Sequence, residues 1–296
     1  MASTTAPTDT YALHDACLQW YDKHARDLPW RAKSATPWHV MVSEFMLQQT
    51  PVSRVLPVYE VWVDRWSAPA DLAREPVGEA IRAWGRLGYP RRAMRLHECA
   101  RAIVERHNGA VPESRDELRA LPGIGEYTSA AVAAFAYRQR HTVLDTNVRR
   151  VFVRALAGEE YPARGVTAAE RTLAEHLLPD SAETAAQWSV AVMEIGALCC
   201  TATRPTCSAC PLRERCEWRR GGYPPGTKPR GQTYAGTDRQ CRGRLLGMLR
   251  ESDGPVSASA LRTVWDDHAQ RERALDSLVA DGLVEPTSDD HFRLPG

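Results

Sequence analysis

The 296-residue sequence has no run of 18 consecutive apolar residues, and its first ten residues contain no basic segment followed by an apolar one. The first absence argues against a membrane-spanning helix, and the second gives no sign of a secretory signal. Without such a signal, eight cysteines argue against a disulfide framework. We therefore expect a soluble cytoplasmic chain of one large domain or two to three smaller ones, with residues 1–8 as a disordered tail.

The sequence also has little net charge, because 38 basic and 37 acidic residues leave only +1. Overall charge therefore does not indicate a nucleic-acid-binding protein, but the distribution of charge is uneven. Seven arginines against two glutamates lie in residues 82–106, and seven basic residues against two glutamates lie in residues 204–230. Solvated helix faces often have this composition, whereas two such patches around a phosphate-binding turn favour DNA.

No convincing strand pattern precedes residue 280, so the first 220 residues are expected to be all-α. Periodicity predicts helices at 9–26, 52–66, 69–74, 76–85, 91–107, 114–120, 128–137, 145–157, 167–178 and 181–198. A Gly- and Pro-rich linker follows. Helices at 239–252, 257–265 and 268–281 and a hairpin from residues 283–294 then suggest a small winged-helix-like module, whose role in DNA contact or only in packing stays open.

The most informative stretch runs from Leu121 to Arg150. It begins L-P-G-I-G-E-Y-T, in which Gly123 and Gly125 permit a tight turn before the apolar helix. A glycine turn that opens a helix presents backbone N–H groups suited to a phosphate, although an ordinary helix–turn–helix corner has the same signature. Asp145, which lies 20 residues beyond the second glycine and heads another helical run, favours the DNA-binding interpretation.

A second acid lies in the run from Trp38 to Gln49. Helical spacing places Glu44 beside Val40 and Met41 on a mostly apolar surface. Desolvation raises the pKa of a carboxyl group, and an acid that stays protonated near neutral pH is what general-acid catalysis requires. An acid that reaches solvent at the edge of a core is the alternative.

Four cysteines are spaced C-x6-C-x2-C-x5-C, namely Cys200, Cys207, Cys210 and Cys216. Zinc sites usually consist of two close cysteine pairs, and here only one pair is close. The spacing therefore favours one [4Fe–4S] cluster held by all four thiolates over zinc. Cys199 lies outside the spacing and is expected to be unliganded.

Together, these motifs resemble the A/G-specific adenine DNA glycosylases of the MutY type, in the helix-hairpin-helix superfamily of endonuclease III. The resemblance covers about residues 9–228 and rests on L-P-W-R (28–31), S-E-F-M-L-Q-Q-T (43–50), G-R-L-G-Y (85–89), L-P-G-I-G-E-Y-T (121–128), V-L-D-T-N-V-R-R-V (143–151) and the four cysteines. It implies an all-α fold of two helical lobes around a DNA-binding cleft. The implied parts are an iron–sulfur lobe (9–28 and 142–220), a six-helix barrel lobe with the helix-hairpin-helix (29–141), a linker (221–238) and the α+β module (239–296).

The resemblance also implies roles for individual residues. Glu44 matches the acid that protonates adenine, while Asp145, near a helix N-terminus, stays ionised and stabilises or captures C1′ of the sugar. Tyr127 and Asn147 support these groups in the pocket. The residues implied in DNA binding are Trp30 and Arg31 at the adenine pocket, Gln49 and Tyr89 as wedges, Thr50 and Leu87 at the opposite base, and Gly123 and Gly125 at a phosphate.

The sequence departs from its relatives at several positions. Bifunctional enzymes of the endonuclease III type carry a Schiff-base lysine where this chain has Tyr127, so lysine-based lyase chemistry is not expected. Thr146 replaces the usual glycine of D-G-N, Pro90 a second tyrosine, and Val190 a polar residue of the pocket. Residues 235–296 are too short, and have the wrong pattern, for the Nudix-like domain that reads 8-oxoguanine in many members.

The expected function is therefore that of a monofunctional glycosylase, a monomer without membrane association. Its expected substrate is double-stranded DNA with A·8-oxoguanine or A·G mispairs, and it leaves an abasic site. Two alternatives remain at this point. One is a thymine or oxidised-pyrimidine glycosylase of the same fold, and the other is a non-catalytic iron–sulfur DNA-binding regulator, in which Glu44 and Asp145 would have no purpose.

Overall fold

A computed structural model describes residues 10–227 and 234–296, so the tail predicted at residues 1–8 lies outside the described residues. The chain divides into two compact units. Unit 1 comprises residues 1–32 and 129–230, and unit 2 comprises residues 33–128 and 231–296. The predicted lobe boundary at 141/142 differs from the observed one at 128/129. The observed boundary falls inside a continuous helix, where composition gives no signal.

The described residues are mostly helical. In chain order, the first eight α-helices are α1 Thr10–His24, α2 Pro37–Leu47, α3 Val52–Arg65, α4 Pro69–Ala73, α5 Val77–Ala83, α6 Arg91–His107, α7 Arg115–Arg119 and α8 Glu126–Tyr137. The others are α9 Thr146–Phe152, α10 Ala168–Leu177, α11 Ala182–Leu198, α12 Glu217–Arg220, α13 Asp238–Glu251, α14 Ala258–Leu261 and α15 His268–Ala280. No helix among these residues combines the length and the apolar character needed to cross a membrane.

Side-chain caps define where several of these helices begin. Thr36 accepts a hydrogen bond from the backbone N–H of His39 at the start of α2, where Pro37 takes the first helical position. Thr167 and Glu170 form a reciprocal capping box at α10. Asp145 caps α9, as its place at the head of a helical run suggested. The predicted helix at 145–157 ends at Phe152 and continues as a π-helical turn, Val153–Ala157.

The core of unit 1 forms where α1, α9 and α11 pack together. Trp188 of α11 is 2% exposed and stacks on Phe152 with ring centroids 5.7 Å apart. His14 of α1 lies edge-on to the same tryptophan and donates a hydrogen bond to the carbonyl of Leu177 at 2.7 Å. The amphipathic pattern of the first helix therefore corresponds to a buried face.

The core of unit 2 is built around tryptophans. Trp62 packs edge-on against Trp66 and Trp84, with centroid distances of 4.6 and 5.6 Å. The indole N–H of Trp84 donates to the carbonyl of Gly88 at 3.0 Å, which ties the glycine-rich loop to the core. Trp62 Nε1 is buried and has no hydrogen-bond partner in the described part of the chain.

The C-terminal module is a part of unit 2 and contains three short strands. These are β1 Val256–Ser257, β2 Glu285–Thr287 and β3 His291–Arg293, in the antiparallel order β1-β3-β2, with Val256 opposite Phe292. The expectation of no strand before residue 280 was therefore wrong. A two-residue strand is too short to show an alternating pattern, and it forms only because β3 pairs with it.

The module is fastened to α5 and to the loop that follows it. Arg250 Nε donates to the carbonyl of Ile81 at 2.9 Å, and Arg82 donates to the carbonyl of Ser252 at 2.9 Å. The backbone N–H of Gly78 donates to the carbonyl of Pro295 at 2.8 Å. A Cβ at position 78 would lie 2.4 Å from that carbonyl oxygen, so only glycine permits this contact.

The two indole N–H groups give a testable difference in stability. Trp62→Phe and Trp84→Phe remove similar volumes, but only the second removes a hydrogen bond to the protein. We expect Trp84→Phe to lower the free energy of unfolding by about 1 kcal/mol more than Trp62→Phe, measured by urea denaturation. Equal losses in the two variants would contradict this account of the core.

Candidate active site

Glu44 lies on α2 and is buried, with 6% of its surface exposed. The residues flanking it on the helix, from Val40 to Met46, are also buried. The burial expected from the apolar spacing is thus confirmed. Of the predicted site residues in unit 2, Glu44 is the one acid.

The loop after α2 and the loop before α6 are held together by Arg92. This guanidinium is 6% exposed and donates to the carbonyls of Gln48 (2.6 Å) and Gly88 (3.1 Å) and to the hydroxyl of Thr50 (2.9 Å). It also donates to the carbonyls of Phe45 and Met46, at 2.9 and 3.0 Å. Burial lowers the pKa of Arg92 to about 10, so the side chain remains charged at neutral pH. In the sequence, Arg92 stands out only as part of a basic patch.

Gln49 and Tyr89 lie at the tips of these two loops. Both side chains are exposed, and both residues have positive φ, 54° and 47°. Such a backbone conformation is uncommon for non-glycine residues and persists when surrounding contacts impose it. Here the contacts of Arg92 with Gln48 and Gly88 impose it, and the result is two side chains directed away from the core.

Thr50 and Leu87, which were expected at the opposite base, are 6% and 3% exposed. The hydroxyl of Thr50 donates to the carbonyl of Leu87 at 3.3 Å and accepts from Arg92. Thr50 therefore joins the two loops, a structural role that the motif alone did not indicate.

The turn before α8 has the two glycines in different surroundings. Gly123 has φ of +76°, and a Cβ there would lie 2.8 Å from Cβ of Arg95 and 3.0 Å from Cε1 of Phe45. Gly125 has nothing within 4 Å of its Cβ position. Both are exposed. The first glycine is therefore required by packing, while the second leaves the backbone open at the N-terminus of α8. Tyr127 lies half-buried in the first turn of that helix.

In unit 1, Asp145 is held by a network of short hydrogen bonds. Its carboxylate accepts from the backbone N–H of Val148 and from Nδ2 of Asn147, each at 2.7 Å. Arg150 fixes Asn147 from the other side by donating to its Oδ1 at 2.7 Å. The same guanidinium donates to the carbonyls of Gly196 and Cys200 at 2.6 Å. Asn147 thus supports Asp145 directly, and Arg150 links both to the first cysteine of the four.

Burial is the strongest influence on the pKa of Asp145. Burial raises the pKa of its carboxyl above the usual value, although the bonds from Val148 and Asn147 and the charge of Arg150 lower it. The helix N-terminus and its backbone N–H groups can be predicted from the sequence, whereas the burial of Asp145 is visible only in the structure. The net shift of this pKa is upward, whereas the sequence led us to expect only that Asp145 stays ionised.

Gly196 and Glu194 of α11 were not identified from the sequence. A Cβ at Gly196 would lie 2.7 Å from Cβ of Asn147, so glycine allows α11 to pass against the Asp145 network. Glu194 is fully buried and accepts from Arg26 at 2.6 Å and from Arg31 at 2.9 Å. Burial alone would raise the pKa of Glu194, but the two arginines hold it at about 2.

This ion pair determines where Trp30 and Arg31 lie. They form a short 3-10 turn, Pro29–Arg31, in which Trp30 is 7% exposed. Arg31 uses Nη2 for Glu194, and its Nη1 is buried with no hydrogen-bond partner among the described residues. The guanidinium therefore retains one donor for a further acceptor.

Cys200, Cys207, Cys210 and Cys216 are all partly exposed free thiols. Burial raises the pKa of Cys210 to about 12, and the charges of Cys200 and Cys216 contribute to the rise. Arg154 donates to Sγ of Cys200 at 3.5 Å and accepts from Sγ of Cys216 through its carbonyl at 3.5 Å. Among the described residues, no group of three or more His, Cys, Asp or Glu is placed to hold a single metal ion. Arg154 thus contacts two of the four cysteines.

Comparison with known proteins identifies the family. A model of the HhH-GPD superfamily of base excision DNA repair proteins matches residues 42–175. Among solved structures, a thermostable thymine-DNA glycosylase has a TM-score of 0.64 at 26% identity, covering 72% of this chain and 97% of that one. Endonuclease III in a non-covalent DNA complex has a TM-score of 0.60 at 21% identity over 73% of this chain and 99% of that one, which supports the fold alone.

Two relatives of known activity are more similar in sequence to this chain than these solved structures are. The adenine DNA glycosylase of Homo sapiens is 38% identical over 216 residues, which are 70% of this chain and 39% of the human one. The adenine DNA glycosylase of Mycobacterium tuberculosis is 52% identical over 282 residues, which are 94% of this chain and 92% of that relative. The all-α fold and the resemblance expected from the motifs are thereby confirmed, and the chain belongs to the adenine DNA glycosylases of the helix-hairpin-helix superfamily.

Proposed function

We propose that this protein removes adenine mispaired with 8-oxoguanine, and with guanine, from double-stranded DNA and leaves an abasic site. Its membership of the adenine DNA glycosylases supports the choice of base and of reaction. The observation that carries the proposal is the burial of Glu44 on an apolar helix, because adenine is a poor leaving group unless it is protonated. We propose that the protein acts as a monomer in the cytoplasm, on DNA and without a membrane.

In the proposed mechanism, Glu44 gives its proton to N7 of adenine. The glycosidic bond then breaks with its electron pair moving to the base, and the sugar becomes an oxocarbenium ion. Asp145, as a carboxylate held by Asn147 and the N–H of Val148, stabilises or captures C1′. Water completes the hydrolysis. Tyr127 supplies no amine for an imine, so the reaction ends at the abasic site.

The remaining site residues are proposed to hold the DNA. Extrusion of the base costs a few kcal/mol. Gln49 and Tyr89, exposed at their loop tips, wedge into the duplex to offset this cost. Thr50 and Leu87 support the contact with the opposite base. The further proposed contacts are Gly123 and Gly125 with a phosphate, and Trp30 and Arg31 with the extruded adenine.

We further propose that the four cysteines hold one [4Fe–4S] cluster. The free thiols at Cys200, Cys207, Cys210 and Cys216 support this choice, and Cys199 is excluded because it is buried and donates to the carbonyl of Ala209. The four thiolates would hold the cluster, and binding it would order the loop at residues 200–216. Arg150 and Arg154 both contact Cys200, and Arg150 also holds the end of α11 against the Asp145 network.

Two substitutions test the roles of the acids. Glu44→Gln removes the proton donor and Asp145→Asn removes the negative charge, while both preserve size. We expect each to abolish adenine release from an A·8-oxoguanine duplex under single-turnover conditions, with duplex binding largely retained. Normal turnover in either variant would overturn its assigned role.

The raised pKa of Asp145 gives a pH prediction. Asp145 must be ionised, so the single-turnover rate should fall as the pH drops through the raised pKa, above the range of an ordinary aspartate. The charge of Arg150 lowers that pKa, so Arg150→Gln should move the acid limb to still higher pH and lower the maximal rate. If the acid limb of Arg150→Gln lay at the same pH as that of the wild type, at equal iron content, the proposed effect of Arg150 on the pKa of Asp145 would be wrong.

The cluster has its own test. The purified protein should be brown, with broad visible absorption and bound iron and sulfide. Cys210→Ser should lose both, whereas the neighbouring control Cys199→Ser should keep them. A colourless wild-type protein containing zinc would refute the proposed cofactor.

A further inference from the structure

Unit 2 contains a cleft of about 1380 Å³ between the loop that carries Leu87 and helix α13 of the C-terminal module. Eight arginines line it, four from the region of residues 54–91 and four from α13. Only two acids, Glu251 and Asp281, lie among its lining residues. The cleft is therefore strongly basic in a chain whose net charge is only +1.

Some of these arginines hold the module in place. Arg250 and Arg82 donate to backbone carbonyls across the cleft floor, and Arg91 and Arg242 share the carboxylate of Asp281. These contacts fix α13 against the loop. Because Asp281 is paired with Arg91 and Arg242, its negative charge does not neutralise the other arginines of the cleft.

The outer arginines face solvent. The side chain of Arg86 is 96% exposed, and the nearest acid, Glu251, is itself exposed and 3.9 Å away. Arg244 is exposed and lies over the ring of Trp265, with 5.0 Å from Cζ to the centroid. Arg239 lies similarly over Tyr234, at 5.2 Å. Clustered cations on a concave surface attract polyanions and raise their association rate.

Two glycines in the middle of α13 face the same cleft. Glycine destabilises a helix interior, so its presence there needs a reason. At Gly247 nothing lies within 4 Å of the Cβ position, and at Gly243 only the Tyr234 hydroxyl does, at 3.3 Å. Packing within the described chain does not require glycine at position 247, whereas a Cβ at position 243 would crowd the Tyr234 hydroxyl. Both glycines leave the helix backbone accessible to a molecule from outside.

The position of the cleft indicates which molecule that is. Gln49, Leu87 and Tyr89 line it, whereas Glu44 and Gly123 do not. Under the proposed function, Leu87 supports the opposite base and Glu44 acts on the adenine. The cleft therefore begins at the residue proposed to contact the opposite base, and it does not include the acid proposed to act on the adenine.

We propose that α13 of the C-terminal module and the loop at residues 82–91 bind the phosphate backbone of the strand that carries the opposite base. Arg239, Arg244 and Arg86 contact phosphates, and Gly243 and Gly247 let the backbone approach the helix. The assignment of the strand rests on the proposed function. Binding of duplex DNA by the cleft does not.

The test measures binding of the full-length, iron-replete protein to short duplexes by fluorescence anisotropy over a range of salt concentrations. One duplex is fully paired, and the other carries a non-cleavable adenosine analogue opposite 8-oxoguanine. For the double variant R239Q/R244Q we expect about tenfold weaker binding of both duplexes and a salt slope smaller by about 2, because two phosphate contacts are lost. The matched control is R293Q, which removes an exposed arginine of the same module outside the cleft.

Gly247→Ala separates DNA contact from packing. We expect an equal or higher Tm, because alanine favours the helix, together with weaker DNA binding. Unchanged affinity and salt slope in both R239Q/R244Q and Gly247→Ala would show that the module only packs, and would overturn the proposal. An equal loss in R293Q would do the same.

Neutral methylphosphonate linkages, which remove the phosphate charge, test which DNA strand the cleft binds. Placed in the strand with the opposite base, they should weaken binding by the wild type more than by R239Q/R244Q. The same difference from linkages in the adenine strand would overturn the strand assignment. These assays record binding alone. A wild-type protein that binds DNA but releases no adenine would refute the proposed function, while the test of DNA binding by the cleft would remain valid.

Discussion

A buried guanidinium is stable only where acceptors surround it. The two Nη atoms of Arg92 meet this condition with four backbone carbonyls and one hydroxyl, while its buried Nε has no hydrogen-bond partner among the described residues. The acceptors come from the end of α2 and from the loop before α6. Satisfying one charge therefore sets the path of both loops, and it places Gln49 and Tyr89 outward in positive-φ conformations. The helix that carries Glu44 ends at the same guanidinium. In unit 2, the proposed acid and the proposed wedges thus depend on one side chain.

Unit 1 repeats this arrangement with a different arginine. Arg150 donates to Asn147 and to the carbonyls of Gly196 and Cys200, and Asn147 in turn holds Asp145. The end of α11 and the start of α9 are therefore positioned by one charge. Gly196 makes the approach of the two helices possible. The carboxylate proposed to face the sugar and the first of the four cysteines are connected through the side chains of Asn147 and Arg150. The position of the cysteine loop can therefore affect the proposed catalytic carboxylate.

The sequence predicted most helices within a few residues, and α6 at residues 91–107 without error, because amphipathic periodicity and caps are local signals. Arg92, Arg150 and Gly196 were missed because their roles depend on partners distant in the chain. The pKa values of the buried acids likewise depend on partners and burial that the local sequence does not show. Apolar neighbours alone do not keep an acid neutral, since Glu194 sits in an apolar helix and two arginines hold its pKa at about 2. Asp145, expected to stay ionised near a helix N-terminus, has its pKa raised by burial.

The central claim concerns which base is removed. Chromatography of the free base released under single-turnover conditions, from duplexes containing A·8-oxoguanine, A·G, T·G or an oxidised pyrimidine, tests it most directly. The account predicts free adenine from the two adenine mispairs and no base from the others. Release of thymine or of the oxidised pyrimidine, with adenine left attached, would contradict it.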